Sequence, residues 1–416
     1  MIISGQLLLE DSASQCQLSQ CQLSQCRLSP GFVRIVDDTM TEVVEGEIPT
    51  QCDIGGPEYL IVPGFIDAHL HLPQFDIIGG HGLPLLQWLN EVTFPAEKRW
   101  ENVDFARSMT QRVLNQCIAH GTTAICAYAT VHHHSARAAI NVATQYGMRG
   151  VIGHVLMDRQ APNYLCRETN ELIDQTSVLI DQFPPSSRLA AAVTPRFAVS
   201  CSTDLLTTAG KLAKEKGTLI QTHLAETAAE CKVVAQLFGG KSYVEVYDQA
   251  GLLTPKSIFG HGIYLDAASR RTLASRESII AHCPTANSFL RSGIMNRSAL
   301  IHDGVKHMLG SDIGAGYERS MVRVARSMIE AAAMLGDSFP SAAEAWFSIT
   351  AGNADQLGWG DSGRLRVGNS ADIVVIKPNI AWQNALVDPL AMLMFAWDDR
   401  WIERVFLRGR EHLAVR

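Results

Sequence analysis

The sequence has no surplus of positive charge. Its 35 lysines and arginines stand against 42 acidic residues, a formal net charge of −7, with an isoelectric point near 6.1. That balance excludes the broad basic face that nucleic-acid binding needs. No run of about 18 apolar residues is free of polar breaks, so no membrane span is expected. The opening stretch MIISGQLLLEDS has no basic segment ahead of its apolar part, and a secretory signal is not expected. None of the ten cysteines belongs to a C-x-x-C pair, and no zinc-ribbon spacing occurs. Most lie in apolar segments and read as buried thiols, which fits a reducing cytoplasm. No G-x-G-x-x-G follows the first long apolar run, which weighs against dinucleotide binding.

What is present is core-forming. Of 416 residues, 47% are hydrophobic and 19% charged, a globular and not a disordered composition. At ~150 residues per domain the length allows two or three units, although a barrel of alternating strands and helices can use most of it as one. Eight apolar, β-branched-rich runs occur: Tyr59–His71, Thr122–Val131, Arg149–Met157, Leu189–Phe197, Thr218–Ala225, Ser257–Leu265, Ser278–Cys283 and Lys306–Ser311. Stretches of helical character separate most of them. Glu101–His120 is one, with Phe105, Met109, Val113 and Ile118 as a rough apolar stripe. Near-continuous apolar strands alternating with helices predict a parallel sheet buried on both faces. Eight of them predict an α/β fold, a (β/α)8 TIM-type barrel.

Shorter β-like pieces flank the barrel: Ile2–Leu9, Phe32–Val36 and Thr41–Val44 before it, Arg364–Val367, Asp372–Ile376 and Val405–Leu407 after it, with a turn at Gly368–Asn369. They predict a small β-sandwich domain built from both chain ends. The expected boundaries are 1–58 and 361–416 for this domain and 59–360 for the barrel. The one repeat, SQCQL-SQCQL-SQCRL over Ser14–Leu28, is too short in period for a solenoid. It reads as a surface insertion over 14–30. Its cysteines Cys16, Cys21 and Cys26 have no nearby histidine or fourth cysteine to complete a metal site.

The chemistry lies at the ends of the runs. The first ends in Asp67-Ala68-His69-Leu70-His71. In an extended strand positions i and i+2 share a face, about 6–7 Å apart, so His69 and His71 can converge on one metal. An isolated H-x-H is as well explained by two histidines lining a barrel. Here, however, His223 ends the fifth run, His261 lies in the sixth and Asp312 follows the eighth. These are the positions where barrels of this kind build their sites. His69, His71, His223 and Asp312 suit zinc or ferrous iron, with a water completing the shell. Glu226, three residues after His223, is placed to move that water's proton to a substrate. Alone it would read as a helix-start carboxylate. Arg196, in Thr194-Pro195-Arg196-Phe197, cannot ligate a metal but can bind a carbonyl oxygen, and Phe197 can stack on a flat ring. His132-His133-His134 reads as a solvated loop, and His282 and Cys283 as inward or core residues. Leu85 and Trp88 could cover the mouth or simply pack.

Pro63-Gly64-Phe65-Ile66-Asp67-Ala68-His69-Leu70-His71 resembles the metal motif of the amidohydrolase superfamily. HLPQ (71–74), LPLLQWL (83–89), TFPAE (93–97), TPRF (194–197), QTHLAE (221–226), YVEVYDQAGLLT (243–254), AHCPTAN (281–287) and LGSDIGAGY (309–317) extend the likeness toward the branch that deaminates guanine. The resemblance implies one zinc per chain on His69, His71, His223 and Asp312. It implies Glu226 as proton shuttle, and His261 with Asp312 orienting the attacking water. It also implies a purine contacted by His71, Gln74, Arg196, Phe197, His223, Glu226 and Asp312, in a cytoplasmic homodimer with no nucleic-acid or membrane partner. The cysteine-rich repeat departs from the family pattern. Deamination of a related ring such as 8-oxoguanine, or a non-catalytic scaffold on the same barrel, are the alternatives. The H-x-E with P-C-x-x-C pattern of the other zinc deaminase fold is absent.

Overall fold

The computed structural model describes residues 1–11, 25–336 and 338–412. Four strands open the chain: β1 (Ile2–Asp11), β2 (Gln25–Val36), β3 (Thr39–Glu45) and β4 (Ile54–Pro63). Then come β5 (Phe65–His71), β6 (Thr122–Tyr128), β7 (Arg149–Leu156) and β8 (Leu189–Pro195). β9 (Ile220–Leu224), β10 (Ser257–His261), β11 (Ile279–His282) and β12 (Lys306–Leu309) follow. β13 (Ile373–Ile376), β14 (Ile402–Leu407) and β15 (Arg410–His412) come last.

Strands β5 to β12 stand in sequence order in one sheet, with parallel pairing between β7 and β8 and from β9 through β12. Every residue of β5, β6, β8, β10 and β11 is buried, as expected of strands covered on both faces. Helices such as His133–Gln145, Thr169–Gln182 and Thr203–Lys216 run between them. The two ends of the sheet meet just past β12. The Asp312 N–H donates to the His69 carbonyl at 2.7 Å, and the His71 N–H donates to the Ile313 carbonyl at 2.6 Å. This is the (β/α)8 barrel that the alternating runs predict.

The seven other strands form a mixed sheet in the order β15-β14-β13-β4-β1-β2-β3, drawn from both chain ends. β1 turns Ile3, Leu7 and Leu9 into a core with Val33, Ile35, Ile61, Ile373, Val375 and Phe406, the period of two that a strand imposes. By compactness the chain divides into Met1–Asp67, Leu114–Ala124 and Arg319–Arg416 as one unit, and Ala68–Val113 and Ile125–Glu318 as the other.

Three local expectations change. The run Tyr59–His71 is two strands, not one: β4 pairs with β1 and β13, and β5 belongs to the barrel. The break is Gly64, where a Cβ would lie 2.0 Å from Thr123 Oγ1. Second, the insertion expected over 14–30 does not reach Pro30. β2 pairs with β1 continuously from Ile2↔Arg34 to Asp11↔Gln25, so 25–30 are strand, and Cys26 is a buried thiol pushed up to about 12 by that burial. The remainder, 14–24, lies outside the described residues. Third, Arg364–Val367 forms no strand. The turn after it is instead tied to the β3 residue Met40, with Gly368 donating to the Met40 carbonyl at 2.8 Å and Met40 donating to the Asn369 carbonyl at 2.9 Å.

Two buried histidines set an acid limit on the barrel. His154 in β7 donates from Nε2 to the Val131 carbonyl at 2.9 Å, and burial holds it down at about 4. Burial likewise holds His282 in β11 at about 3. Both stay neutral in the fold but accept a proton in the unfolded chain below about 6.5. Their contribution is therefore complete above that pH and is lost as pH falls toward 4, at up to about 1.4 kcal/mol per pH unit for each group. Denaturant midpoints measured between pH 7 and about 4.5 should fall steadily, and a His154→Gln variant should show a shallower slope. An unchanged slope would mean that His154 is already charged in the fold.

Candidate active site

The extended backbone of β5 puts His69 and His71 on one face, and both are buried. Their ring centroids are 5.3 Å apart. Two glycines make room for His69: a Cβ on Gly260 would lie 2.7 Å from its Cε1, and one on Gly310 would lie 2.6 Å from its Cβ. His223 ends β9. Its Nδ1 donates to the Arg196 carbonyl at 2.6 Å, which leaves the Nε2 of the neutral ring as an acceptor. That Nε2 is 3.0 Å from His71 Nε2. Asp312 brings Oδ1 to 3.4 Å from His69 Nε2 and 3.6 Å from His71 Nε2.

The donor set fits a cation. Ligand atoms of His69, His71 and His223 lie within 4.8 Å of one another, as do those of His69, His261 and Asp312. Burial holds His69, His71 and His223 below the usual imidazole range, the last two well below it. They are neutral imidazoles, able to act as ligands. A 3.0 Å approach of two ring nitrogens is satisfied either by a hydrogen bond between the rings or by a cation held by both. Imidazole nitrogens and one carboxylate are the ligand types that zinc takes.

Glu226 sits beside this cluster. Ser292 Oγ donates to its Oε1 at 2.6 Å, and its Oε2 is 3.4 Å from His261 Nε2. Burial raises its carboxyl above the ordinary carboxylate value, the nearby His261 opposes that rise and Asp312 adds to it. His261 donates from Nδ1 to Asn287 Oδ1 at 2.9 Å, which aims Nε2 at Glu226 and at Asp312, 3.9 Å away. Burial lowers its basicity, but the carboxylates of Glu226 and Asp312 outweigh burial, and the net shift is upward. The two carboxylates thus favour the charged form of the ring.

The backbone here is costly. Ala225, His261 and Asp312 have φ of 49°, 73° and 51°, the left-handed region that costs a non-glycine residue about 1–2 kcal/mol. All three come where a barrel strand ends or just after it. They turn Glu226, His261 and Asp312 over one point, and strain of this kind clusters at functional sites.

Above the cluster lies a partly enclosed cavity. Gln74, Arg196 and Phe197 line one part of it, and Leu85, Trp88 and Leu290 supply apolar walls. Trp88 is fixed by donating from Nε1 to the Gly80 carbonyl at 2.6 Å. Leu85 and Trp88 therefore wall the cavity as well as pack. Each of the nine residues singled out from the sequence is at this site. His132-His133-His134 is not, and it is no loop: His133 opens the helix His133–Gln145. His282 is a core residue.

Sequence reasoning missed Ser292, Asn287, Glu230 and Glu97. Asn287 ends the AHCPTAN segment and Glu97 ends TFPAE, so each lay inside a quoted motif without a role. Glu230 has a local signature, since Thr227 and Glu230 form a capping box. Its second duty is tertiary: Tyr243 donates to Oε1 at 2.7 Å and the Glu226 N–H donates to Oε2 at 3.0 Å. Burial first, then the charge of Glu226, pushes Glu230 up to about 7.

Comparison with known proteins gives a consistent result. The model of the amidohydrolase family matches residues 60–411. Guanine deaminase of Escherichia coli (strain K12) is 36% identical over 362 residues, covering 84% of this chain and 82% of that protein. Guanine deaminase of Homo sapiens is 32% identical over 375 residues, with the same coverage of 84% and 82%. Among solved structures, guanine deaminase from C. acetobutylicum with bound guanine in the active site superposes with a TM-score of 0.89 at 28% identity, covering 99% of each chain.

Proposed function

The chain belongs to the amidohydrolase family, and we propose that it is a zinc-dependent guanine deaminase, hydrolysing guanine to xanthine and ammonia. The observation that carries this reading is the meeting of His69, His71, His223 and Asp312 at one point, with Glu226 beside it, facing a cavity lined by Gln74, Arg196 and Phe197. The guanine deaminases at 31–36% identity support the choice of ring.

His69, His71, His223 and Asp312 would hold one zinc per chain. Bound there, zinc supplies Lewis acidity that makes a hydroxide nucleophile available near neutral pH. The remaining chemistry belongs to the chain. Arg196 donates to the purine carbonyl, Gln74 bonds the ring edge and Phe197 lies against the ring. Together they hold C2, the carbon bearing the amine, toward the cluster, and such positioning supplies a large part of the barrier reduction. Glu226 takes a proton from the attacking water and passes it to a ring nitrogen as the new C2–O bond forms. Glu226 then takes the remaining proton from the oxygen now on C2 and gives it to the amine, so that the C2–N bond breaks, ammonia leaves and the C2 carbonyl forms. His261, held by Asn287 and flanked by Glu226 and Asp312, orients the water and balances the two carboxylates.

No helix among the described residues is long and apolar enough to cross a membrane. We extend the reading to a cytoplasmic homodimer. The activity test is direct. The purified, zinc-loaded protein should release ammonia from guanine and convert its absorbance to that of xanthine. Failure on guanine with turnover of another purine or pyrimidine base would overturn the substrate and leave the hydrolysis standing.

A further inference from the structure

We propose that Glu97 is a positioning residue that sets the polarity with which the cavity reads the purine edge, holding the Arg196 guanidinium in place and orienting Gln74 as an acceptor. This rests on the guanine reading above.

Glu97 lies in the short helix Phe94–Lys98 and is 1% exposed. It does not line the cavity, so it acts through others. Its Oε1 accepts from Arg196 Nη1 at 2.5 Å, across 99 positions of sequence, and from Gln74 Nε2 in a longer bond of 3.5 Å. Phe94, three residues earlier, has its ring 5.5 Å from the centre of the same guanidinium. One segment thus supplies both an anion and an aromatic face to Arg196.

The consequence for Gln74 follows from its donor and acceptor inventory. A carboxamide has one oxygen and one NH2. With one N–H of Nε2 held by Glu97, the amide is oriented with Oε1 turned away from that carboxylate, and this buried oxygen has no hydrogen-bond partner among the described residues. An unsatisfied buried acceptor is costly unless a ligand supplies a donor. Beside it, Arg196 can only donate. The two side chains therefore present a donor next to an acceptor. The complement is a ring carbonyl next to a ring N–H, the pattern at C6 and N1 of guanine. Adenine has the reverse, an amine beside an unprotonated nitrogen. A carboxylate at 97 enforces this polarity because it can only accept. A carboxamide there could turn its own NH2 toward Gln74 and let that amide flip.

The test uses equilibrium binding by calorimetry to zinc-loaded protein, with two non-reacting probes of equal size. Hypoxanthine has the carbonyl and N–H; adenine has the reverse. In the parent protein hypoxanthine should bind at least ~10-fold more tightly, the usual scale when a buried hydrogen-bonding pattern is mismatched. In Glu97→Gln the ratio should fall to within about threefold, with zinc content unchanged. Glu97→Asp keeps the charge beside Arg196 and withdraws the oxygens by one methylene. It should narrow the ratio too, and it decides the matter if Glu97→Gln does not fold. A parent protein without the preference overturns the proposal. So does a variant in which both affinities fall together and the ratio stays, since a structural role alone would do that. Turnover of guanine is scored separately. Intact preference without turnover would overturn the deamination reading and leave the positioning role supported.

Discussion

Replacing Glu226 by glutamine is expected to lower kcat for guanine by about 10²–10⁴-fold, the usual weight of a positioned acid–base group, while zinc stays bound. At the upper end this is about 5 kcal/mol of barrier. The carboxamide has almost the shape of the carboxylate, so Ser292, which donates to Oε1 at 2.6 Å, keeps an acceptor. What disappears is the ability to take a proton and give it back. The surroundings are suited to that exchange. The carboxyl is almost fully buried and lies 3.4 Å from His261, and burial raises it above the ordinary carboxylate value, the direction taken by other carboxyls that shuttle protons. The ratio of kcat between parent and variant, with zinc per chain measured on the same samples, checks this. A variant retaining more than a tenth of the parent's kcat would remove Glu226 from the mechanism.

Asp312→Asn should be as damaging by a different route. Asp312 is the anion of the cluster. Its Oδ1 faces His69 and His71 and its Oδ2 faces His261. Its own N–H closes the barrel on the His69 carbonyl at 2.7 Å. Asparagine keeps that backbone bond but removes the charge. Three neutral imidazoles then face a dication with no anion among the ligands, and His261 loses one of the two carboxylates that raise its basicity. Dialysis against a chelator followed by zinc should restore the parent's activity. The variant should lose its zinc under milder chelation and show a kcat lower by ~10³-fold or more even in excess zinc, because ligand and orienting group are removed together. Zinc analysis after graded chelation, read beside kcat, separates the two losses. Parent-like zinc retention by Asp312→Asn would place the metal elsewhere.

The strand runs were legible because parallel barrel strands are buried on both faces and so appear as unbroken apolar segments. Their ends are less clear: the apparent eighth strand over Lys306–Ser311 stops at Leu309, Gly310 beyond it donates to the His282 carbonyl at 3.0 Å, and the closing bonds to β5 begin at Asp312. Strand β2 was read too short. Ser29 and Pro30 resemble a turn in isolation, and only the partner strand β1 holds them extended. Glu97 and Ser292 were passed over for a related reason. Nothing in their neighbourhood of sequence distinguishes them from a surface glutamate or a loop serine. They matter through Arg196 and Glu226, which lie 99 and 66 positions away.

By itself the amino-acid order determined the alternating architecture, the pairing of His69 with His71 on one strand face, and the choice of side chains at the strand ends. Each follows from the backbone period within a few residues. Tertiary structure alone decided how those ends are aimed and what stands behind them. It chose the left-handed turns at Ala225, His261 and Asp312, the tautomer of His223, the hydrogen bonds on His261 and Glu226, and the carboxylate beneath Arg196 and Gln74. The physical reason is range. A hydrogen bond or ion pair acts over about 3 Å of space, and only chain closure brings groups from separate strands within it.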